Sequence, residues 1–338
     1  MKIISVIAVL SFAVLIIIKP ELCASGAAQG LLLSGRVLIP SLFPMTVCTM
    51  FIMGSGAFSG LKRVSHVTQK LFHLSSDEFI TVILSLIGGY PVGAKLLNEA
   101  VREKRISAEK AGLMLCYCVN SGPAFAVSAV GAGMYSSRVL GFALLAAHLL
   151  PSLIMCFLFS FIIKNDSRKP VSVKSPSAAD NFVSSVSGAS GALLSIFFSA
   201  VGAYIKHYSL RFPYLKYAAL LLEVTNAVGG TRSLPLTAFL LGFACIGIWC
   251  QLLSVGRLIK IRPLLFLICR IFHGLLSALL LQMIMKIFKI TVQAAAAANF
   301  VPTCDGAALS VSMLTMVIII IISVGTKKNT GKLLDDIV

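Results

Sequence analysis

Apolar residues in this chain gather into blocks long enough to cross a bilayer. Residues 3–18, 138–163, 183–205, 263–285 and 306–324 are clear cases. Spanning ~30 Å of hydrocarbon takes roughly 20 residues of helix, so each block predicts a transmembrane segment. Stretches at 27–58, 111–135 and 235–255 predict further crossings, the first of them interrupted by Gly and Pro. Two other apolar stretches are different. Residues 79–97 are broken in the middle by Gly88-Gly89-Tyr90-Pro91-Val92-Gly93, and a helix so interrupted either kinks hard or turns back. Residues 217–231, which include Glu223-Val224-Thr225-Asn226 and Gly229-Gly230, are too short to span.

Short loops rich in Lys and Arg face the cytoplasm, which fixes a layout. With the N-terminus inside, the first helix exits and 27–58 returns to a loop carrying Lys62, Arg63 and Lys70. The loop after 79–97 carries Arg102, Lys104, Arg105 and Lys110, so both flanks of that segment are inside and it re-enters. Residues 111–135 cross outward and 138–163 inward, to a Ser-, Pro- and Lys-rich linker at 164–182. Residues 183–205 cross outward, 235–255 return to Arg257, Lys260 and Arg262, and two last helices leave Lys327, Lys328 and Lys332 inside. Of the 29 Lys and Arg residues, 18 then lie in cytoplasmic loops, 8 outside and 3 (Arg36, Lys95 and Arg270) within segments.

The layout repeats a unit of crossing, re-entrant segment and crossing, at 27–135 and again at 183–255. The single helix between them inverts the second unit. Gly26–Ser34 and Gly188–Ser195 look alike, as do the pairs Gly88-Gly89 and Gly229-Gly230. Inverted halves with broken segments are an architecture of secondary transporters, which hold solute near midplane. The expected fold is therefore all-α: a polytopic transmembrane bundle of about 8 spanning helices plus two re-entrant or broken hairpins in an inverted repeat. It divides into a first helix (1–26), a first repeat (27–135), a connecting helix with basic loop (136–182), a second, inverted repeat (183–262) and two C-terminal helices with a short cytoplasmic tail (263–338).

Composition agrees. Apolar residues make up 58% of 338 and charged residues 12%, at a mean hydropathy of +0.96, too little charge to cover a water-soluble surface. The net charge of +17 sits mostly in the inter-helix loops, with no separate basic domain, so insertion accounts for it and no nucleic-acid partner is expected. The nine cysteines lie mostly in apolar segments, as Cys48, Cys156, Cys245 and Cys269 do, and read as small hydrophobes. Cys116 and Cys118 form a C-x-C pair that lacks two further metal ligands, so neither metal nor cofactor is expected. Lys19, Pro20 and Glu21 follow the first block where a cleavage site would stand, so that block is read as an uncleaved helix.

Glu223 is the only acid embedded in an apolar segment, where a carboxylate must be protonated, paired or facing water. It reads as a proton carrier or solute contact, helped by Thr225 and Asn226, against the plain alternative of an interhelical hydrogen bond. In the first unit Tyr90, Lys95, Asn120 and Ser121 stand beside the breaks formed by Gly88, Gly89, Pro91, Gly93, Gly122 and Pro123. Lys95 alternatively snorkels to the interface, and the glycines alternatively serve close helix packing. Gln251 either pairs toward this region or makes a bland interhelical bond. Gly188-Ala189-Ser190-Gly191 has the G-x-S-G form of rhomboid intramembrane proteases, with His148 or His273 as bases. Trp249 is followed by cysteine rather than arginine and neither histidine has a rhomboid-like context, so no catalytic residue is assigned.

Pro40-Ser41-Leu42-Phe43-Pro44, Gly89–Lys95, Asn120–Phe125 and Glu223–Asn226 together resemble the YlbJ-like sporulation integral membrane proteins. That family belongs to the nucleoside-recognition or Gate group, and the resemblance covers residues 27–255. Ala227 departs from it, where glycine is expected. The resemblance implies endospore formation, with a role in cortex assembly or spore maturation in the cytoplasmic membrane. The expected function is transporter-like, binding or moving a small polar solute, nucleoside-like or other, with both termini cytoplasmic. The alternatives are a non-transporting scaffold for spore-envelope assembly proteins and, remotely, an intramembrane serine protease. Expected partners are the lipid bilayer, the solute, and other sporulation membrane proteins or further copies of the chain.

The layout has a direct test. On a cysteine-free background, Ser209→Cys labels with an impermeant thiol reagent in intact cells, and Ser107→Cys labels only after lysis. Labelling of both from one side would remove the opposed hairpins.

Overall fold

A computed structural model describes residues 2–35, 49, 68–163, 191–224, 231 and 233–290, the side chains of 2–9, 33 and 191–193 excepted. Among these residues all regular structure is helical. Helices α1 (Lys2–Ile18) and α2 (Pro20–Leu33) are followed by α3 (Ser76–Gly88), α4 (Tyr90–Arg102) and α5 (Ala108–Leu115). A π-helix (Ala124–Met134) precedes α6 (Arg138–Ser160). The chain continues through α7 (Gly191–Tyr208), α8 (Leu215–Leu222), α9 (Leu234–Phe243), α10 (Ile246–Val255) and α11 (Pro263–Ile287).

Three described segments are long and apolar enough to cross a membrane: α6, α9 with α10 as Leu234–Val255, and α11. Leu10–Ile18 and Pro20–Leu32, bent by 107°, add a fourth if they form one span. This is a multi-pass membrane fold, with fewer such helices among the described residues than the eight expected. Part of the difference is physical. The expected crossing 111–135 is two helices, because Asn120-Ser121-Gly122-Pro123 cannot carry the α5 ladder into the π-helix. Helix α2 begins at Pro20, ahead of the expected crossing at 27–58, since proline fits the first helical turn. The remaining expected spans, most of 27–58 and all of 306–324, lie outside the described residues, as do the linker 164–182 and the start of 183–205.

Helices α3 and α4 form a hairpin. Gly89 turns the chain with φ 91° and ψ 177°, a conformation open to glycine alone without strain. Beyond the turn, Gly93 lies against Ser85 and against the carbonyl of Cys118, where any Cβ would overlap that oxygen. At the open end, Ser75 and Glu78 make a reciprocal capping box at the start of α3. The same Glu78 pairs with Lys110 of α5 at 2.5 Å, and both side chains are buried. So the two feet of the hairpin stand at one end of the fold.

Other contacts join the connections at each end of the fold. Asn98 accepts the Leu258 N–H at 2.9 Å, the Lys260 N–H donates to the Ala108 carbonyl, and His73 meets the Ser160 carbonyl at 2.7 Å. At another end, Tyr204 donates to the carbonyls of Leu15 and Lys19, and Lys19 Nζ donates to His207 Nε2 at 3.0 Å. Small residues allow the close crossings. Gly26 and Gly30 of α2 seat on Ala200, Ala203 and Ser199 of α7, and Gly242 of α9 seats on Gly274 of α11.

Gly93→Ala should lower stability by about 3 kcal/mol, because backbone rather than a movable side chain occupies the Cβ position. Gly202→Ala, a helical position with open space around it, is the control and should leave the melting temperature of detergent-solubilised protein unchanged or slightly raised. Equal effects would sink the packing argument.

Candidate functional site

Helix breaks release backbone carbonyls, and within an apolar fold each must find a donor. The α9–α10 junction shows how this is met. Ala244 and Cys245 there have φ of 60° and 25°, rare for residues with a Cβ. The three carbonyls before them are each taken by a side chain from elsewhere. Tyr90 Oη donates to Leu241 at 2.9 Å, Arg270 Nη2 donates to Gly242, and Trp249 Nε1 donates to Phe243 at 3.1 Å.

Arg270 reaches the other break as well. Its Nη1 donates to the carbonyls of Cys116 at 3.3 Å and Val119 at 3.0 Å, just past α5. The side chain is 0% exposed, and among the described residues no carboxylate lies within ion-pair distance of it. Two helix C-termini, each with partial negative charge, supply its compensation instead.

Asn120 and Ser121 sit in the non-helical stretch before Pro123. Asn120 Nδ2 donates to the Tyr117 carbonyl at 2.9 Å, and Ser152 of α6 donates to Asn120 Oδ1. The Ser121 N–H donates to His148 Nε2 at 2.7 Å, which places the proton of that neutral ring on Nδ1. His273 Nε2 donates to the His148 carbonyl at 2.9 Å, and the two rings lie 4.9 Å apart. The Tyr90 ring stands edge-on to His148 at 6.4 Å. Ser121 Oγ, both His Nδ1 atoms, Arg270 Nε and Ser277 Oγ are buried and meet no hydrogen-bond partner among the described residues.

Glu223 ends α8 in an extended conformation and is 2% exposed. Ser195 of α7 donates to its Oε1 at 2.9 Å. The end of α8 abuts the α9–α10 break: Cys245 Sγ donates to the Leu220 carbonyl, and Gly247 lets the Leu222 carbonyl come close. Glu223 therefore stands beside the same break that Tyr90 caps from α4 and Arg270 from α11.

Of the residues expected to carry chemistry, Tyr90, Asn120 and Ser121 come together, and Glu223 approaches through Cys245. Lys95 is buried on α4, 5% exposed, one turn before Asn98. Gln251 is buried on α10, the helix packed on α4. Gly88, Gly89, Pro91 and Gly93 form the hairpin turn, and Gly122 and Pro123 open the π-helix. Thr225, Asn226, Gly229 and Gly230 lie outside the described residues, as does Ser190. His148 and His273 are each tied to backbone by Nε2. Arg270 stands in the sequence as an in-segment charge, outside the expected site residues. Its position among Leu, Ile and Phe in a predicted span was the available signal.

Arg270→Met removes every donor to the Cys116, Val119 and Gly242 carbonyls and should cost about 3 kcal/mol or more. Arg270→Lys, which keeps the charge but not the fork, should fall between. The emission of Trp249, the sole tryptophan, reports the neighbouring break and should shift in Arg270→Met. Wild-type stability and emission in both variants would refute the capping role.

No protein-family model matches the chain, and no solved structure matches it. A stretch of 140 residues is 26% identical to the sporulation integral membrane protein YlbJ of Bacillus subtilis (strain 168), covering 41% of this chain and 34% of that protein. The chain thus matches about a third of that relative's length, and this likeness is to a membrane protein of sporulation.

Proposed function

We propose that this chain is a transporter-like membrane protein of spore formation, holding a small polar solute between the α3–α4 hairpin and the Glu223 segment. One observation carries the reading: two separate helix breaks, one after α5 and one between α9 and α10, converge on a buried set of polar groups. Tyr90, Ser121, His148, Arg270 and His273 supply donors and acceptors from one side. Glu223 supplies a carboxylate from the other, with Thr225 and Asn226 following it in sequence. Broken helices suit such a site because their ends present backbone dipoles to solute. The role in sporulation follows the resemblance to the matched relative.

A second reading has its own support. Three bonds of Arg270 go to backbone carbonyls, so the cluster also serves to pin helices together, as a scaffold for envelope-assembly proteins would need.

Purified protein screened with nucleosides, amino acids and small carboxylates should melt at higher temperature with at least one of them, and proteoliposomes should take up that compound. Glu223→Gln should lower uptake by about tenfold or more with stability nearly unchanged, as for loss of one charged solute contact. Absence of any stabilising compound and of any flux, with Glu223→Gln altering stability alone, would favour the scaffold.

A further inference from the structure

The end of the fold formed by α1, α2, α7 and α8 carries a surface that the solute site does not use. Helix α7 is apolar up to Lys206, and the chain then runs Ser209-Leu210-Arg211-Phe212-Pro213-Tyr214 into α8. Apolar and aromatic side chains here point outward. Leu210 is 87% exposed, Tyr214 67% and Tyr217 56%, and no residue of α8 is buried. Side chains of this kind at the end of an apolar helix lie in the headgroup region, with their rings at the boundary and their polar tips in water.

Cations are interleaved with them. Lys216 Nζ sits 4.9 Å over the Tyr217 ring, the Arg211 guanidinium 5.7 Å over Phe212, and Lys19 Nζ 5.7 Å over Tyr208. Lys206 closes the group in the last turn of α7. No Asp or Glu occurs between Asp180 and Glu223, so no acid in that stretch neutralises Lys206, Arg211 or Lys216; Glu21, two residues after Lys19, is the acid at the start of α2. The Lys19–His207 hydrogen bond, at 3.0 Å, holds the start of α2 against the end of α7 and makes the patch continuous.

We propose that this face binds the phosphodiester groups of anionic phospholipids, the aromatic rings entering the boundary while Lys19, Lys206, Arg211 and Lys216 contact the phosphates. Charge complementarity selects this occupant. A second copy docked symmetrically would set like charges against like charges, whereas anionic headgroups attract each Lys and Arg near the surface. The proposal rests on the chain being in a bilayer and is independent of transport.

Native mass spectrometry of the full chain, released from mixed phosphatidylglycerol and phosphatidylcholine, reads the preference directly. Wild type should retain phosphatidylglycerol, and Lys206→Gln/Arg211→Gln/Lys216→Gln should lose that preference by about fivefold or more. The charge-conserving variant Lys206→Arg/Arg211→Lys/Lys216→Arg should keep it. So should Arg102→Gln/Arg257→Gln/Arg262→Gln, which removes as many cations near the hairpin feet. No preference in wild type overturns the proposal, as does equal loss in the second Gln variant. A dimer that the first Gln variant breaks apart would identify the face as a contact between copies instead.

Discussion

A carbonyl freed by a helix break has no water to turn to in the interior of an apolar fold, and the rest of this structure is arranged around that constraint. Leu241, Gly242 and Phe243 present three such carbonyls in a row, and Tyr90, Arg270 and Trp249 answer them from α4, α11 and α10. Each donor comes from a different helix, so closing one break fixes three helices around it. Arg270 then extends the tie to the end of α5. A neutral donor would satisfy these oxygens as hydrogen-bond partners. A guanidinium also balances the partial charge of two helix ends and presents a fork wide enough for both.

That arrangement requires backbones to approach more closely than side chains normally permit. Gly93 admits the Cys118 carbonyl, Gly112 admits that of Lys260, and Gly242 meets Gly274 directly. The last contact lies on the residue whose carbonyl Arg270 caps, and Gly274 is one turn along from Arg270 on the same helix. Small residues and the buried cation are thus two parts of one device: the first brings α9 against α11, and the second satisfies what that approach exposes.

Much of this was legible in the sequence, and the failures have a common cause. The uninterrupted blocks 3–18, 138–163 and 263–285 appear as α1, α6 and α11 with small shifts at the ends. The Gly88-Gly89-Tyr90-Pro91 signal correctly marked a chain reversal, because glycine and proline act locally. The break at Ala244-Cys245 left no such mark. Neither residue forbids a helix, and the turn is set by donors on α4, α10 and α11, which no local pattern in α9 contains. The π-helix was equally silent. Arg270 was visible as a charge in a span, but the acceptors that make it tolerable are 28 or more positions away in sequence.

The helices that carry Gly26–Ser34 and the end of Gly188–Ser195 pack against each other. Helix α2, which holds the first stretch, packs along α7, which begins within the second, through Gly26 and Gly30. The residues of α7 that meet Gly26 and Gly30 are Ile196, Ser199, Ala200 and Ala203, which follow the second stretch, so the close approach rests on small residues of both helices rather than on the two similar stretches facing each other. Helix α7 also reaches one of the helix breaks: its Ser195 holds Glu223, beside the junction that Tyr90 caps from the hairpin. Small residues bring α7 against α2 while Ser195 of the same helix holds the carboxylate that ends α8, so close packing and polar satisfaction fall to one helix.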